Sequence, residues 1–330
     1  MIRFGVIGAG RIGKVHARTI AGNPKAKLAY IADAMPQAAQ SLADQYGAKV
    51  ASVEEIMKAK DVDAVLIGSP TGFHAEQIQV ASIAGKAIMC EKPVSLSVAK
   101  IEETLKIVET NKSTLMIGFN RRFDPHFAEV EKRLRRGDVG EIEMVTVISR
   151  DPSPPPAEYV KGSGGIFADM MIHDFDMARF LVGEEFVTVQ ALGAALVDKA
   201  IGEAGDVDTA AVQMQTINGR IAVITNSRRA TYGYDQRLEV HGSKGMIHAK
   251  NMHETTVELL TADGYHADPI MKFFLERYLP AYTNELNTFI SAVESGDRNP
   301  KPNGYDGLQA QKLAEAAKES WQSGKPVRLA

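Results

Sequence analysis

The chain has 330 residues. Single hydrophobic cores stop growing at about 250 to 300 residues, so two domains are expected. Hydrophobic residues make up 45% of the chain and charged residues 24%, which excludes a disordered or fibrous protein. The net charge of -3 leaves no basic surface for nucleic acid or an anionic membrane. The expected partner is therefore a small molecule.

Cysteine content and apolar runs set further limits. The single cysteine, Cys90, excludes an internal disulfide framework. No apolar stretch approaches the ~18 residues of a membrane span, and the N-terminus enters a strand pattern without a leader segment. The sequence therefore predicts a cytoplasmic protein.

The first part of the chain alternates short apolar runs with helix-length amphipathic segments. The runs typical of strands are Arg3 to Ile7, Lys27 to Ala32, Ala64 to Ile67, Ala87 to Cys90 and Thr114 to Ile117. Such strands, alternating with helices, indicate a parallel sheet covered on both faces and wound in right-handed βαβ units. We predict a doubly wound, dinucleotide-binding Rossmann domain over residues 1–119.

Residues 120–330 are predicted to form an α+β domain for substrate binding and oligomerisation. Helices are expected over Pro125 to Arg136, Ile166 to Leu181, Met271 to Ser295 and Asp306 to Ser323, the last packing back on the first domain. The Pro-rich stretch Asp151 to Pro156 is expected to be a loop. Strands are expected over Ile142 to Ser149, Thr188 to Val197, Ala210 to Thr216, Ile221 to Ser227, Arg237 to His241 and Thr256 to Leu260. Hairpin signals at Asn218-Gly219 and Gly242 to Gly245 predict that their large open sheet is mostly antiparallel.

A glycine fingerprint, Gly8-Ala9-Gly10-Arg11-Ile12-Gly13, follows the first strand and precedes a helix. Gly8 permits a tight turn, Gly10 lets the backbone approach a pyrophosphate, and Gly13 lets helix and strand pack closely. The helix N-terminus supplies N–H donors to the phosphates. The motif predicts a dinucleotide site, although Rossmann folds also hold flavins and adenosylmethionine.

Asp33 lies at the end of the second predicted strand, where a carboxylate can accept from the ribose hydroxyls. Its charge repels a 2'-phosphate, and the next residues, Ala34-Met35-Pro36, include no arginine to neutralise one, so NAD is predicted over NADP. The alternative is that Asp33 only caps the next helix.

Three further segments leave strands at the carboxyl edge of the sheet, where ligands bind in open α/β folds. They are Gly68 to His74, Glu91-Lys92-Pro93 and Asn120-Arg121-Arg122, and a cis peptide is expected before Pro93. The predicted cofactor-binding residues are Gly8, Gly10, Arg11, Ile12, Gly13, Asp33, Ser69, Pro70, Thr71, His74, Glu91, Lys92 and Arg121.

Two segments carry candidate chemistry. Lys92 lies at the predicted cofactor cleft, although a strand-end lysine is commonly a solvated surface charge. On the predicted helix, Asp169, His173 and Asp176 share one face at i, i+4 and i+7. The alternatives are a helix cap with a core histidine, or a divalent metal site.

The chain resembles the Gfo/Idh/MocA oxidoreductase family, and within it the inositol-oxidising branch. The motifs that carry the resemblance are the glycine fingerprint, Glu91-Lys92-Pro93, Gly118 to Asp124, Gly164-Gly165 with Asp169, His173 and Asp176, and the branch-specific Ser149 to Pro152, Tyr232 to Arg237 and Phe273 to Tyr278. The resemblance covers essentially the whole chain.

This resemblance implies NAD-dependent oxidation of a ring hydroxyl of myo-inositol to the inosose. In that scheme His173 takes the hydroxyl proton, Lys92 hydrogen-bonds the same or a neighbouring hydroxyl, and Asp169 orients Lys92. The implied substrate-binding residues are Lys92, Arg121, Asp151, Asp169, His173, Asp176, Tyr234 and Tyr278. No metal is required, because Lys92 supplies the positive charge.

Two other functions remain open. The first is the same oxidation of a different substrate: scyllo-inositol, chiro-inositol or a pyranose such as glucose. A non-catalytic, dinucleotide-dependent sensor or repressor is the second, and it predicts loss of the catalytic side chains, which this sequence retains. The family resemblance also implies a homotetramer assembled through the open face of the second sheet.

Overall fold

The structure, a computed structural model, describes residues 1–329. Its strands are β1 (Ile2–Ile7), β2 (Ala26–Ala32), β3 (Lys49–Val50), β4 (Ala64–Ile67), β5 (Ala87–Glu91), β6 (Leu115–Gly118), β7 (Ile142–Arg150), β8 (Phe186–Ala194), β9 (Thr209–Thr216), β10 (Ile221–Ser227), β11 (Asp235–Gly242), β12 (Gly245–Ala249), β13 (Glu258–Thr261), β14 (Gly264–Ala267) and β15 (Val327–Arg328).

The helices fill the intervals between these strands. They are α1 (Arg11–Ala21), α2 (Pro36–Tyr46), α3 (Val53–Lys58), α4 (His74–Ile83), α5 (Val98–Thr110), α6 (Pro125–Arg135), α7 (Ala157–Ser163), α8 (Ile172–Val182), α9 (Lys199–Glu203), α10 (Phe274–Arg277), α11 (Leu279–Ser295) and α12 (Gly304–Ser323). Short 3₁₀ turns cover Thr71–Phe73 and Asn120–Phe123, and a π-helical turn covers Ile166–Met170. Within residues 1–329, no helix has both the length and the apolar character to cross a bilayer.

The chain divides into two compact units. The first contains Met1–Phe123 and Pro280–Gln311, and the second contains the rest of the described chain. This division differs from the predicted boundary between residues 119 and 120, because most of α11 and the start of α12 group with the first unit.

The first unit contains a six-stranded parallel sheet in the order β3-β2-β1-β4-β5-β6. Its central strands β1, β4 and β5 are buried along most of their length, as expected for a sheet covered on both faces. The strand order reverses between β1 and β4, and in open α/β sheets ligands bind outside the carboxyl ends of the strands at such a point. The predicted doubly wound sheet is confirmed. Only β3 was missed, because both of its residues are exposed and show no apolar run.

Helix α11 contributes to the core of this unit. Its apolar residues Leu286, Phe289 and Ile290 are buried in the cluster that also contains Phe4 of β1. The Phe4 and Phe289 ring centroids are 6.0 Å apart. This shared core is the physical reason that residues 280–311 belong to the first unit.

The second unit contains a seven-stranded sheet in the order β12-β11-β7-β10-β9-β8-β15. Strands β7 and β10 pair in parallel, and the other pairs are antiparallel, so the predicted mostly antiparallel sheet is confirmed. Burial alternates along β9 and β10, which leaves one face of the sheet partly open. The predicted strand near Thr256 does not join this sheet: β13 pairs with β14 across a local turn at Ala262-Asp263.

Two predicted helices are interrupted. The one expected over Ile166 to Leu181 starts as the π-helical turn, in which Met171 N bonds to Ile166 O, and continues as α8. The one expected from Met271 to Ser295 is divided into α10 and α11 at Tyr278. Pro280 explains the division, because it lacks an N–H and is tolerated only in the first turn of a helix. Residues 151–156 are irregular, as predicted, and the unpredicted helix α7 follows them.

Candidate active site

The glycine fingerprint forms a turn in which side chains have no room at two positions. Gly8 has φ +103, and a Cβ built there would lie 2.4 Å from Gly68 O. A Cβ at Gly13 would lie 1.9 Å from Gly8 O. These contacts explain why helix α1 can begin so soon after β1, and they match the roles predicted for the two glycines.

Gly10 differs from these glycines because a Cβ there would meet no atom of residues 1–329 within 4 Å. It is the N-cap residue of α1 and supplies no side-chain cap to the first N–H groups. The helix end therefore has N–H donors without a side-chain cap and open space beside the backbone, which fits the pyrophosphate of a dinucleotide.

Asp33 fastens the end of β2 to this turn. Its Oδ2 accepts a hydrogen bond from Ala9 N at 2.6 Å, and its Oδ1 accepts one from Met35 N at 2.8 Å. Helix α2 has Met35 as its N-cap, so the structure does not support the alternative in which Asp33 only caps that helix. The carboxylate lies beside the glycine turn, where it can also accept from a ribose hydroxyl.

His74 joins the other two loops at the carboxyl edge of the same sheet. Its Nε2 lies 2.7 Å from Ser69 O and its Nδ1 lies 2.7 Å from Pro93 O. The Lys92–Pro93 peptide is cis, as predicted. His74 therefore links the loop after β4 to the turn that carries Lys92, and its direct contact with a cofactor stays a prediction.

Glu91, immediately before Lys92, belongs to a buried polar cluster in the first unit. Its Oε1 lies 2.7 Å from His16 Nε2, and the His16 ring packs edge-on against Tyr282, with centroids 5.4 Å apart. Glu285 is also fully buried here, and burial together with the charge of Glu91 raises its pKa well above the ordinary value. The carboxylate of Glu91 therefore bonds to a side chain inside the first unit.

Asp169 lies in the π-helical turn of the second unit and contacts two side chains. Tyr159 OH donates to its Oδ1 at 3.2 Å, and Arg228 Nη2 lies 3.4 Å from its Oδ2. Asp206 fixes the start of the same turn, because its Oδ2 accepts from Ile166 N at 2.9 Å. The carboxylate of Asp169 is partly exposed, with 17% of its side chain accessible.

Helix α8 carries His173 and Asp176 and is anchored to the sheet by Asp174, which lies between them. His173 is half-buried. Asp174 is fully buried, accepting from Ser149 Oγ at 2.6 Å and from Asn226 Nδ2 at 2.8 Å. Asp176 is buried, and its Oδ1 lies 4.0 Å from Arg179 Nη1. Because the turn before α8 is π-helical, the one-face relation of Asp169 to the other two residues does not follow regular α-helical spacing.

The remaining predicted substrate residues occupy different settings. Arg121 is buried in the first unit, and Asp151 follows β7 in the second. Tyr234 and Tyr278 are buried together with their rings nearly perpendicular and centroids 6.0 Å apart. Tyr278 OH lies 3.4 Å from Gln236 Oε1. Their substrate contacts stay predictions.

Sequence reasoning did not identify three residues that contact the predicted ones. His16 could have been found, because it lies in the buried stripe of α1 with Gly13, Ala17 and Ile20. No sequence pattern indicated that Tyr159 and Arg228 contact Asp169, because both are separated from it along the chain. Within residues 1–329, no group of three or more His, Cys, Asp and Glu side chains is arranged to hold a metal ion.

Comparisons with known proteins agree with this geometry. The model described as "Oxidoreductase family, NAD-binding Rossmann fold" matches residues 2–119, and the GFO/IDH/MocA C-terminal domain matches residues 127–248. The chain is 53% identical to the inositol 2-dehydrogenase of Rhizobium meliloti (strain 1021), covering 100% of this chain and 99% of that protein. It is 44% identical to the myo-inositol 2-dehydrogenase of Thermotoga maritima, covering 99% and 98% of the two chains.

A solved structure is also similar. The scyllo-inositol dehydrogenase of Lactobacillus casei with bound NAD(H) and scyllo-inositol has a TM-score of 0.92 and 31% identity, covering 99% of each chain. The predicted enzyme class and NAD cofactor are confirmed by these matches. The chain therefore belongs to the Gfo/Idh/MocA family of oxidoreductases.

Proposed function

We propose that the chain is an NAD-dependent inositol 2-dehydrogenase that oxidises one ring hydroxyl of myo-inositol to the corresponding ketone. The observation that carries this proposal is the 53% identity, over the full length of both chains, with an inositol 2-dehydrogenase. Retention of Lys92, Asp169 and His173 supports catalysis over a non-catalytic role.

NAD would be held at the carboxyl edge of the first sheet. The N-terminus of α1 and the open space at Gly10 suit the pyrophosphate, and Asp33 suits the ribose. The loops that contain Ser69, Pro70 and Thr71, and the Glu91-Lys92 turn, would contact the nicotinamide half, together with Arg121. When bound, NAD supplies the hydride acceptor.

The chain's own residues would manage the proton and the charge on oxygen. His173 would accept the hydroxyl proton as general base, because an imidazole nitrogen is the most common proton acceptor in this kind of catalysis. Lys92 would donate a hydrogen bond to the same oxygen and stabilise its developing negative charge. Asp169 would orient the Lys92 ammonium.

The remaining polar residues would recognise the ring. Arg121, Asp151, Asp176, Tyr234 and Tyr278 offer donors and acceptors suited to neighbouring hydroxyls of a cyclic polyol. The 31% identity with a scyllo-inositol dehydrogenase makes that stereoisomer the second candidate substrate. Chiro-inositol and glucose are further candidates, because they present similar hydroxyl arrays.

A substrate and cofactor panel tests the proposal. NADH formation is followed with myo-, scyllo- and chiro-inositol and with glucose, using NAD and NADP. We expect the highest kcat/KM with myo-inositol and NAD. Far better turnover of glucose than of every inositol would overturn the substrate, and preference for NADP would overturn the role of Asp33.

The Lys92→Ala variant separates catalysis from sensing. We expect turnover to be abolished while NADH still binds, as measured by fluorescence titration. Lys106→Ala, an exposed lysine on α5, is the matched control and should keep wild-type activity. Undiminished turnover in Lys92→Ala contradicts the catalytic role. Activity that survives chelation by EDTA argues against the metal alternative.

The proposal extends to a cytoplasmic homotetramer that acts in inositol catabolism. The open face of the second sheet supports assembly, since it carries the apolar residues Met144, Ile148, Leu192 and Val223 among polar ones. Leu192 is 69% exposed and Met144 is 41% exposed. Such a face is suited to a second copy of the chain.

A further inference from the structure

Arg228 is one of the most completely buried large side chains in the protein, with 2% exposure. It follows β10 directly, and its backbone N donates to Asp208 O at 2.8 Å. An arginine keeps its charge at any ordinary pH, and taking it out of water is costly unless carboxylates surround it. The buried charge of Arg228 therefore requires carboxylate partners nearby.

Two carboxylates of the second unit lie near this guanidinium. Arg228 Nη2 is 3.4 Å from Asp169 Oδ2. Asp206 is the second: burial raises the pKa of its carboxyl, and the charge of Arg228 opposes that rise. Asp206 in turn holds Ile166 N, and a Cβ at Gly165 would lie 2.5 Å from Asp206 Oδ1. The three charged residues thus connect the two ends of the π-helical turn to the end of β10.

The buried charged groups around Arg228 stabilise the folded protein poorly. Arg228 Nε is buried and has no hydrogen-bond partner within residues 1–329, which is an uncompensated cost. Replacing a buried ion pair by apolar residues is often neutral or stabilising. Strain or unmet polar groups that persist in a fold are commonly found beside functional sites.

The geometry points to Arg228 as a positioning residue for the catalytic reaction. Its guanidinium fixes the Asp169 carboxylate from inside the protein, while Tyr159 contacts the other oxygen from the exposed side. The Asp169 carboxylate is thereby held in one orientation, as its proposed role in orienting Lys92 requires. This inference rests on the proposed function, because it takes the catalytic role of Asp169 from it.

Kinetics of Arg228→Ala, with Arg229→Ala as the matched control, tests the inference. Arg229 is the adjacent, exposed arginine. We expect Arg228→Ala to lower kcat about 10- to 100-fold with little change in the KM for NAD, since a misplaced catalytic group costs on that scale. Millimolar guanidinium chloride should restore part of the kcat, whereas equal sodium chloride should not. Arg229→Ala should match the wild type.

The outcomes separate the two proposals. No wild-type turnover with any polyol of the panel overturns the proposed function and this inference with it. A wild-type kcat in Arg228→Ala overturns the inference alone. The inference is also overturned if kcat falls, guanidinium does not restore it and the melting temperature falls as well. If Arg228→Ala does not fold, Arg228→Lys decides. Reduced kcat with normal NADH affinity and melting temperature supports positioning, and wild-type kcat contradicts it.

Discussion

The carboxyl group of Glu285 lies on α11 in the interior of the first unit, and neither of its oxygens has a hydrogen-bond partner within residues 1–329. Burial, and then the charge of Glu91, raise its pKa well above the ordinary value of 4.5. The folded protein therefore keeps this proton at a pH where the unfolded chain has lost it.

This difference in the pKa of Glu285 between the folded and unfolded states determines how the free energy of unfolding changes with pH. As the pH rises above 4.5, the unfolded chain ionises at Glu285 first, so this group lowers the free energy of unfolding until the folded pKa is passed. Each unit of difference between the two pKa values costs about 1.4 kcal/mol. Glutamine cannot ionise, so we expect Glu285→Gln to gain stability relative to the wild type as the pH rises from acid to neutral.

Urea unfolding at a series of pH values measures this gain. Glu294→Gln, on the exposed side of the same helix, is the control and should change the free energy of unfolding by only about 0.5 kcal/mol. A constant difference between Glu285→Gln and the wild type at all pH values contradicts the prediction.

Two of the three glycines of the fingerprint, Gly10 and Gly13, lead to a second prediction at residue scale. Alanine at Gly13 meets Gly8 O, so Gly13→Ala should lower both the melting temperature and the affinity for NADH. Alanine at Gly10 meets no protein atom, so Gly10→Ala should keep the melting temperature and weaken only NADH binding.

Thermal unfolding without cofactor and fluorescence titration with NADH separate the two effects. The expected loss of affinity is about 100-fold or more in either variant, since the backbone must approach the pyrophosphate closely. Unchanged NADH affinity in Gly10→Ala would show that the open space at this turn is not the pyrophosphate site.

At the scale of elements, helix α8 is tied to the second sheet by buried polar groups. Asp174 accepts hydrogen bonds from Ser149 of β7 and Asn226 of β10. Hydrogen bonds to a charged group contribute about 1.5 to 3 kcal/mol each, and a buried donor left without its partner adds a further cost. We expect Asp174→Ala to lower the free energy of unfolding by about 2 to 4 kcal/mol.

A double-mutant cycle isolates the contact between helix and strand. The single variants Asp174→Ala and Ser149→Ala and the double variant are compared by urea unfolding. We expect a coupling energy of about 0.5 to 3 kcal/mol, as for other residues in one hydrogen-bonded network. Strictly additive effects are incompatible with the contact. Glu239→Ala, an exposed position on β11, should have almost no effect.

Elements with a strong apolar pattern could be predicted from the sequence, and elements defined by distant contacts could not. Five of the six strands of the first sheet were found because each contains an apolar run, whereas the short, exposed β3 does not. The π-helical turn before α8 leaves the apolar spacing of a helix nearly unchanged, so the sequence predicts a single helix there. Tyr278 ends α10 next to Pro280, a breaker that the pattern of apolar residues obscured.

The same distinction applies to the candidate site. Gly8, Gly13 and Asp33 lie in one βαβ unit, so their approach to one another follows from chain connectivity and was predicted. Arg228 is 59 residues from Asp169 in the chain, and only the pairing of β10 in the sheet brings them together. No local pattern carries that information.

At the scale of the whole molecule, periodicity did not reveal which core receives α11. An amphipathic helix shows which of its faces is buried, and either sheet offers an apolar surface to it. The contact between Phe4 and Phe289 decides the matter, because it places the C-terminal segment in the core of the first unit. The sequence predicts that the last helix packs back on the first domain, but no pattern in it shows that α11 does the same.

Assembly through the open face of the second sheet gives the prediction at this scale. Val223 lies on the open side of β10, between Ile221 and Thr225. A charge buried there against another copy of the chain would be costly, so Val223→Asp should reduce the proposed tetramer to smaller species in size-exclusion chromatography with light scattering. Val80→Asp, the same change at an exposed valine of α4, should leave the oligomer intact. If the Val223→Asp variant runs as the wild-type tetramer, assembly uses another surface, and if the wild-type chain is monomeric the tetramer itself is wrong.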